Sequence, residues 1–391
     1  MSTTAFTTAI TQARDLLRWR SPLRTELWAA RLAAGLEPDE AALFVRELVD
    51  DGTSEARLTL AALAVVDTTP LTEPDDVDTD GAFADPHVRP GRFDALGRPD
   101  VLSEAPEDLT GSGASETPGE SGDLEDAGQA STETGPGAYT VVGRAAMRTL
   151  PSWVARMGRV TCDGAWYGRA DRYGQQTLAA LRFRYAGGKE PHLLVVGIDQ
   201  VNGGLAVDAV VEEVKFLDDL DLHPADPAVV AGRVLDAFEL TGRVMGALVA
   251  DTLPAVRPLA LARARAVPHP VRQAPDDTIA GFRDLPEMAG AREAFEKLVE
   301  FVGDRPLWWS PSRASMFLTS WLPREAILSD EAVAAMPAVV RAWTRFNGDH
   351  PEVLAQVDAD TPRLPALMAD ESLASLAKRI AQARRPSAPD R

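Results

Sequence analysis

The sequence predicts an α+β protein: an N-terminal helical module, an acidic disordered linker, then a four-stranded antiparallel sheet followed by a mostly helical C-terminal region. Three observations predict it. Apolar residues recur at helical spacing at both ends of the chain, and four strand-like runs crowd into residues 160–214. Between them lies a stretch that no core can use. Residues 103–138 hold nine acids, no Lys or Arg, and only Leu109 and Leu124 as large apolar side chains. Ordering a backbone costs about 1–2 kcal/mol per residue, which so little apolar surface cannot offset. The expected division is 1–70 helical module, 71–138 linker, 139–385 α+β domain and 386–391 disordered tail.

The module reads as four short helices. In the first, Ile10, Ala13 and Leu17 separate from Arg14 and Arg18 onto two faces. Ser21-Pro22 is a cap followed by proline at the first helical position, Leu23, Leu27, Ala30 and Ala34 form a stripe, and Gly35 ends the helix. Pro38-Asp39-Glu40 starts a third helix, and Thr53 or Ser54 a fourth that runs to Val66. Within the linker, residues 81–102 form a less acidic island with Phe83 and Phe93, a candidate docking motif.

Val160–Arg169 and Thr177–Tyr185 are the first two strands; Leu181, Phe183 and Tyr185 alternate with Arg182 and Arg184. Gly187-Gly188 marks a turn. His192–Asp199 is a continuous apolar run, as expected for a strand covered on both faces. Asn202-Gly203-Gly204 signals a hairpin, and Leu205–Val214 returns. Such short spacing predicts a meander. Helices then fill about 226–384. Asp226-Pro227 starts one, and Leu285–Val302 is another. Ser310-Pro311 starts a third, stopped at Pro323. Ser329-Asp330-Glu331 starts a fourth that Pro337 should kink or split, and a last helix covers about 371–384.

The net charge of −19 is unevenly placed: residues 71–138 carry 17 acids against Arg89, Arg92 and Arg98, leaving −5 for the rest. The low pI therefore reports the linker. A lone cysteine, Cys162, excludes an intramolecular disulfide and a Cys-based zinc cluster, and points to a reducing cytoplasm. The N-terminus does not read as a signal peptide, and no apolar run approaches the roughly 20 residues of a membrane span. A soluble cytoplasmic protein is expected.

Chemistry-bearing candidates are few. If Gly203-Gly204 are the two turn residues, Asp199 faces Asp208 across the hairpin, their Cβ atoms about 5 Å apart. Such a pair would bind a hard cation or share a proton, with Glu212 and His192 as further ligands. If Asn202-Gly203 turn instead, the acids fall out of register and Asp199 closes the strand by bonding turn amides. Cys162 has no base tied to it and reads as a small hydrophobe. No Walker loop, dinucleotide fingerprint or nucleophile elbow occurs. Arg14, Arg18, Arg20, Arg24 and Arg31 oppose Asp15 and Glu26 for +3 over residues 1–36; Arg257, Arg263, Arg265 and Arg272 form a second patch. Both are thin for nucleic acid and read as solvated faces, the first also able to attract the acidic linker. Trp308 and Trp309 precede a helix and are candidate interaction residues, whereas Phe317 and Trp321 at i, i+4 read as core.

Pro191–Asp208, Trp321-Leu322-Pro323-Arg324 and Pro337–Trp343 resemble a group of uncharacterised proteins typical of high-GC, actinobacterial-type bacteria. The resemblance implies the domain layout and no activity. It also implies a His beside the first Asp, where this chain has Gln200, which counts against a metal or acid–base role. The expectation is a non-enzymatic interaction or regulatory protein with a protein partner, no cofactor, no membrane and no nucleic acid. The rivals are a metal-assisted hydrolase using Asp199 and Asp208, and a nucleic-acid binder using the Arg clusters.

Overall fold

A computed structural model describes residues 2–67, 143, 145–274 and 278–384. Met1–Pro70 and Pro136–Arg391 form one compact unit. The acidic segment, its island with Phe83 and Phe93, and the tail 386–391 lie outside the described residues.

Four helices open the chain: α1 (Ser2–Trp19), α2 (Pro22–Ala34), α3 (Pro38–Asp51) and α4 (Ser54–Val66). Their boundaries follow local chemistry. Ser21 accepts from the Arg24 amide with Pro22 at the first turn, and Thr53 accepts from the Ala56 amide. Gly52 closes α3 in the left-handed conformation at φ 60°.

The sheet is antiparallel, in the order β4-β3-β2-β1-β5. Its strands are β1 (Val160–Arg169), β2 (Gln176–Tyr185), β3 (Lys189–Asp199), β4 (Leu205–Glu212) and β5 (His223–Pro224). The fifth strand corrects the expected four. It is two residues long and ends in proline, too short for an alternation signal, and proline is tolerated at an edge. β3 is buried on both faces, as its apolar run requires. Leu194, Val196 and Ile198 pack with Phe183 against α5 (Pro227–Arg243) and α6 (Thr252–Ala266). Leu193 and Val195 face Trp166, Phe216, Leu217 and Leu222 on the other side.

The helical module sits on α6: Leu259 joins a cluster with Ala13, Leu16, Ala29, Leu58 and Ala62. The face of α2 turned inward is Pro22, Thr25, Glu26, Ala29 and Ala30. That is a rotation from the stripe of Leu23, Leu27, Ala30 and Ala34. Small side chains let α2 approach the sheet layer, and Leu27 is left half-buried.

The C-terminal helices build a separate aromatic core around Trp309, Phe317 and Trp343. Among them are α7 (Ala291–Val302), α8 (Pro311–Met316), α9 (Asp330–Phe346) and α10 (Pro351–Asp360), with Leu364 of a further short helix; α11 (Leu376–Ala383) follows outside that cluster. Three expectations are corrected. Helix α7 begins at Ala291, not Leu285, because Gly290 at φ 76° brings the backbone against Glu331, where a Cβ would lie 2.3 Å from backbone atoms. Beyond α8 a π-helical turn, Phe317–Trp321, carries the rod past Pro323 to Glu325, and the wider turn accommodates the proline. Helix α9 runs unbroken through Pro337; Met336, Val339, Val340 and Trp343 are fully buried, which offsets the proline cost of about 3 kcal/mol.

Between α5 and α6 a loop carries Met245 and Leu248, 99% and 92% exposed. Just after it, the Ala250 amide donates to the Val207 carbonyl on the outer edge of β4 at 2.8 Å. No described helix is long and apolar enough to cross a membrane.

Candidate functional site

The hairpin does not bring Asp199 and Asp208 together. Asp199 pairs with Leu205 and Asp208 with Gly197, with a register shift between Gly197 and Ile198. The loop therefore spans Gln200 to Gly204, with both glycines at positive φ, near 95°. Asp199 is occupied locally: its Oδ1 accepts from the Val201 and Asn202 amides at 2.9 and 3.2 Å, and its Oδ2 from the Asn202 side chain. Asp208 accepts from the Thr252 hydroxyl. Glu212 is exposed opposite Leu193. Among the described residues no three His, Cys, Asp or Glu side chains converge on a point that a metal ion would occupy. Cys162 is half-buried beside the Gly164 carbonyl, and burial pushes its thiol pKa up, away from nucleophilic use.

Trp308 and Trp309 are corrected as interaction residues: they are 8% and 1% exposed. The Trp309 indole donates to Thr344 Oγ1 at 2.9 Å. The Trp308 ring lies 3.7 Å from the guanidinium carbon of Arg313, itself 4% exposed. Burial, with Arg305 nearby, pulls the Arg313 pKa down to about 10. Both tryptophans precede a helix start, yet the C-terminal helices close over them.

His192 belongs to a buried network that its sequence neighbours do not announce. Glu26 of α2 accepts from the Gly158 amide at 2.7 Å, from the Tyr185 hydroxyl at 2.6 Å and from Arg263 of α6. Arg263 also donates to the Tyr185 oxygen at 2.7 Å and, through Nε, to His192 Nε2 at 3.1 Å. His192 must then carry its proton on Nδ1, which faces the Glu190 carbonyl at 2.9 Å. Burial first, then Arg263, lowers the His192 pKa to about 4. Burial and the Glu26 charge raise that of Tyr185. Burial opposes the charge on Arg263, but Glu26 and Tyr185 outweigh it and its pKa rises. Titratable groups this perturbed often mark active sites. Here all four side chains are at most 1% exposed, so no substrate reaches them; they lock α2 and α6 to the sheet. The signal available in sequence was Glu26 inside a helix face of small residues.

An open cleft of about 410 Å³ lies beside the Gly203-Gly204 turn, under α5 and the end of α7. Its charges are spent on one another. Arg243 pairs with Glu239; Arg272 bridges Asp236 and Glu239; Arg305 donates to the Gln200 carbonyl at 2.8 Å. With Arg263 buried and Arg272 bridged, the second basic patch is dismantled.

The first patch survives. A groove of about 360 Å³ runs between α1 and α2, walled by Leu16, Leu27 and Trp28 and flanked by Trp19, Arg24 and Arg31. The Trp28 indole donates to Gln12 Oε1 at 2.6 Å, so the ring serves as an apolar wall. Trp19 is 60% exposed, with the Arg24 guanidinium carbon 5.3 Å from its ring centroid. No protein-family model, no curated protein and no solved structure matches the chain, so any reading of its role stands on this geometry.

Proposed function

We propose that this is a non-enzymatic interaction or regulatory protein of the cytoplasm that acts by binding a protein partner. One observation carries the reading: well-formed elements turn large apolar side chains to water. Trp19 at the end of α1 is 60% exposed, and Leu376 and Ile380 on α11 are 71% and 44% exposed. On α11 the arrangement is inverted, since Lys378 is the buried residue, its ammonium donating to the Pro323 carbonyl at 2.7 Å. Isolated exposed apolar residues are ordinary, whereas clustered ones on rigid elements mark binding surfaces. The side chains with catalytic potential, meanwhile, are held in local structural bonds. The test is affinity capture from a native extract with the intact chain, Trp19→Ala and the double variant Leu376→Glu/Ile380→Glu. Recovery of a stoichiometric protein that one variant loses supports the reading. A chain that elutes alone, or identical recovery by all three, defeats it.

A further inference from the structure

We infer that the groove between α1 and α2 is a docking site for an acidic amphipathic helix carried by a partner protein; this rests on the interaction reading and gives it a surface and a chemistry. The groove is apolar along its floor and cationic at its rim. Leu16, Leu27 and Trp28 line the floor, where rows of apolar side chains at helical spacing from a third helix would pack. Trp19, Arg24 and Arg31 stand at the rim with Gln12 and Asp15, so the two arginines outnumber the one acid there.

The charge on this face keeps the size its sequence suggests by an exchange of acids: Glu26 leaves it, and Glu55 of α4 joins it by pairing with Arg14 at 3.2 Å. Glu26 counts against the patch in the sequence, but it is buried on the opposite side of α2 and bound to Arg263. That leaves Asp15, 3.7 Å from Arg18, as the exposed acid within residues 14–31. Among the described residues the guanidinium groups of Arg20 and Arg31 make no hydrogen bond or ion pair, and Arg24 contacts the Trp19 ring alone. Uncommitted arginines around an apolar slot, on a chain of net charge −19, select a ligand that is acidic and apolar at once.

The exposure of Trp19 is also held in place. The α1–α2 corner is fixed to the sheet: Glu190 accepts from the Ser21 hydroxyl and from the Leu23 amide at 3.4 Å. Arg20 turns the corner at φ 56°, a conformation most side chains avoid. Because the backbone at this corner is already ordered, a partner that packs on Trp19 does not have to order it, which favours affinity. Nucleic acid is the lesser fit, because phosphate tracks need a longer cationic stripe than these arginines provide.

The experiment is fluorescence anisotropy on the full-length chain with a labelled peptide about five turns long. Its leucines fall at i, i+3, i+4 and i+7, with Glu and Asp elsewhere. Three competitors accompany it: a scramble of the same composition, the same leucine pattern with lysines replacing the acids, and mixed-sequence single-stranded DNA. The acidic helix should bind at least about tenfold tighter than each competitor and weaken as salt rises. Trp19→Ala and Arg24→Glu/Arg31→Glu should each lose about tenfold or more while unfolding at the unchanged temperature. Equal binding of the scramble or the lysine peptide, or tighter binding of the DNA, overturns the proposal. Absence of peptide binding overturns it too. If Trp19→Ala still loses a native partner in the capture experiment, the interaction reading survives that failure and only the acidic-helix chemistry falls.

Discussion

Glu26 is bonded from three directions, and its removal isolates a cation inside the protein. Glu26→Gln keeps the shape but leaves Arg263, 1% exposed, without a counter-charge. Breaking one partner of a buried pair costs about 3–5 kcal/mol. Denaturant unfolding should therefore show a loss of that order, and a loss under about 1 kcal/mol would mean that water reaches Arg263. His192 makes the same network pH-dependent. Folding holds its pKa near 4 against an ordinary 6.5, so from pH 6.5 downward the unfolded chain binds a proton that the folded one refuses. The associated stability is complete above about pH 6.5 and is lost as pH falls toward 4, by an amount on the order of 3 kcal/mol. In His192→Gln, the slope of unfolding free energy against pH across this window should flatten. An unchanged slope would place the titration elsewhere.

Glycine decides how closely α5 meets its neighbouring loop. Gly232 lies inside α5, where Gly→Ala ordinarily strengthens a helix by about 1 kcal/mol. Here a Cβ would sit 1.7 Å from the Val271 carbonyl oxygen, and the Val271 amide donates to the Ala228 carbonyl at 2.9 Å. Gly232→Ala should accordingly destabilise by about 1–3 kcal/mol, the overpacking range, read as a lowered unfolding midpoint. Much at this scale was legible from sequence. Ser21, Thr53, Asp226 and Ser329 all cap the helices expected of them, because capping depends on neighbours within one turn. The strands followed from period-two alternation and a run buried on both faces. What escaped depends on distant contacts. Helix α6 carries Pro254 and Pro258 and few large apolar residues, and it is helical because α2, α5 and the sheet enclose it. The hairpin register turned on a shift at Gly197–Ile198 that no local pattern encodes. Trp309 looked exposed because the side chains covering it come from other helices, and Trp308 because Arg305 and Arg313 cover its ring.

Across the whole molecule, the helical module meets the sheet layer through an apolar cluster around Leu259 of α6 and one buried ion pair instead of a polar seam. The module should consequently not melt by itself: calorimetry ought to give one transition for α1–α4, the sheet and α5–α6, whereas an early separate transition would show that Glu26 and Arg263 couple them weakly. The loop after α5 has a different bearing. Met245 presents its thioether almost wholly to solvent, while Met336 is sealed in the aromatic core. Mild peroxide should convert Met245 to its sulfoxide first, well before Met336, as peptide masses will reveal. Leu248, 92% exposed, lies on the same loop, so that single oxygen atom would also make an apolar stretch of the surface more wettable, giving the folded chain a built-in chemical record of oxidant exposure.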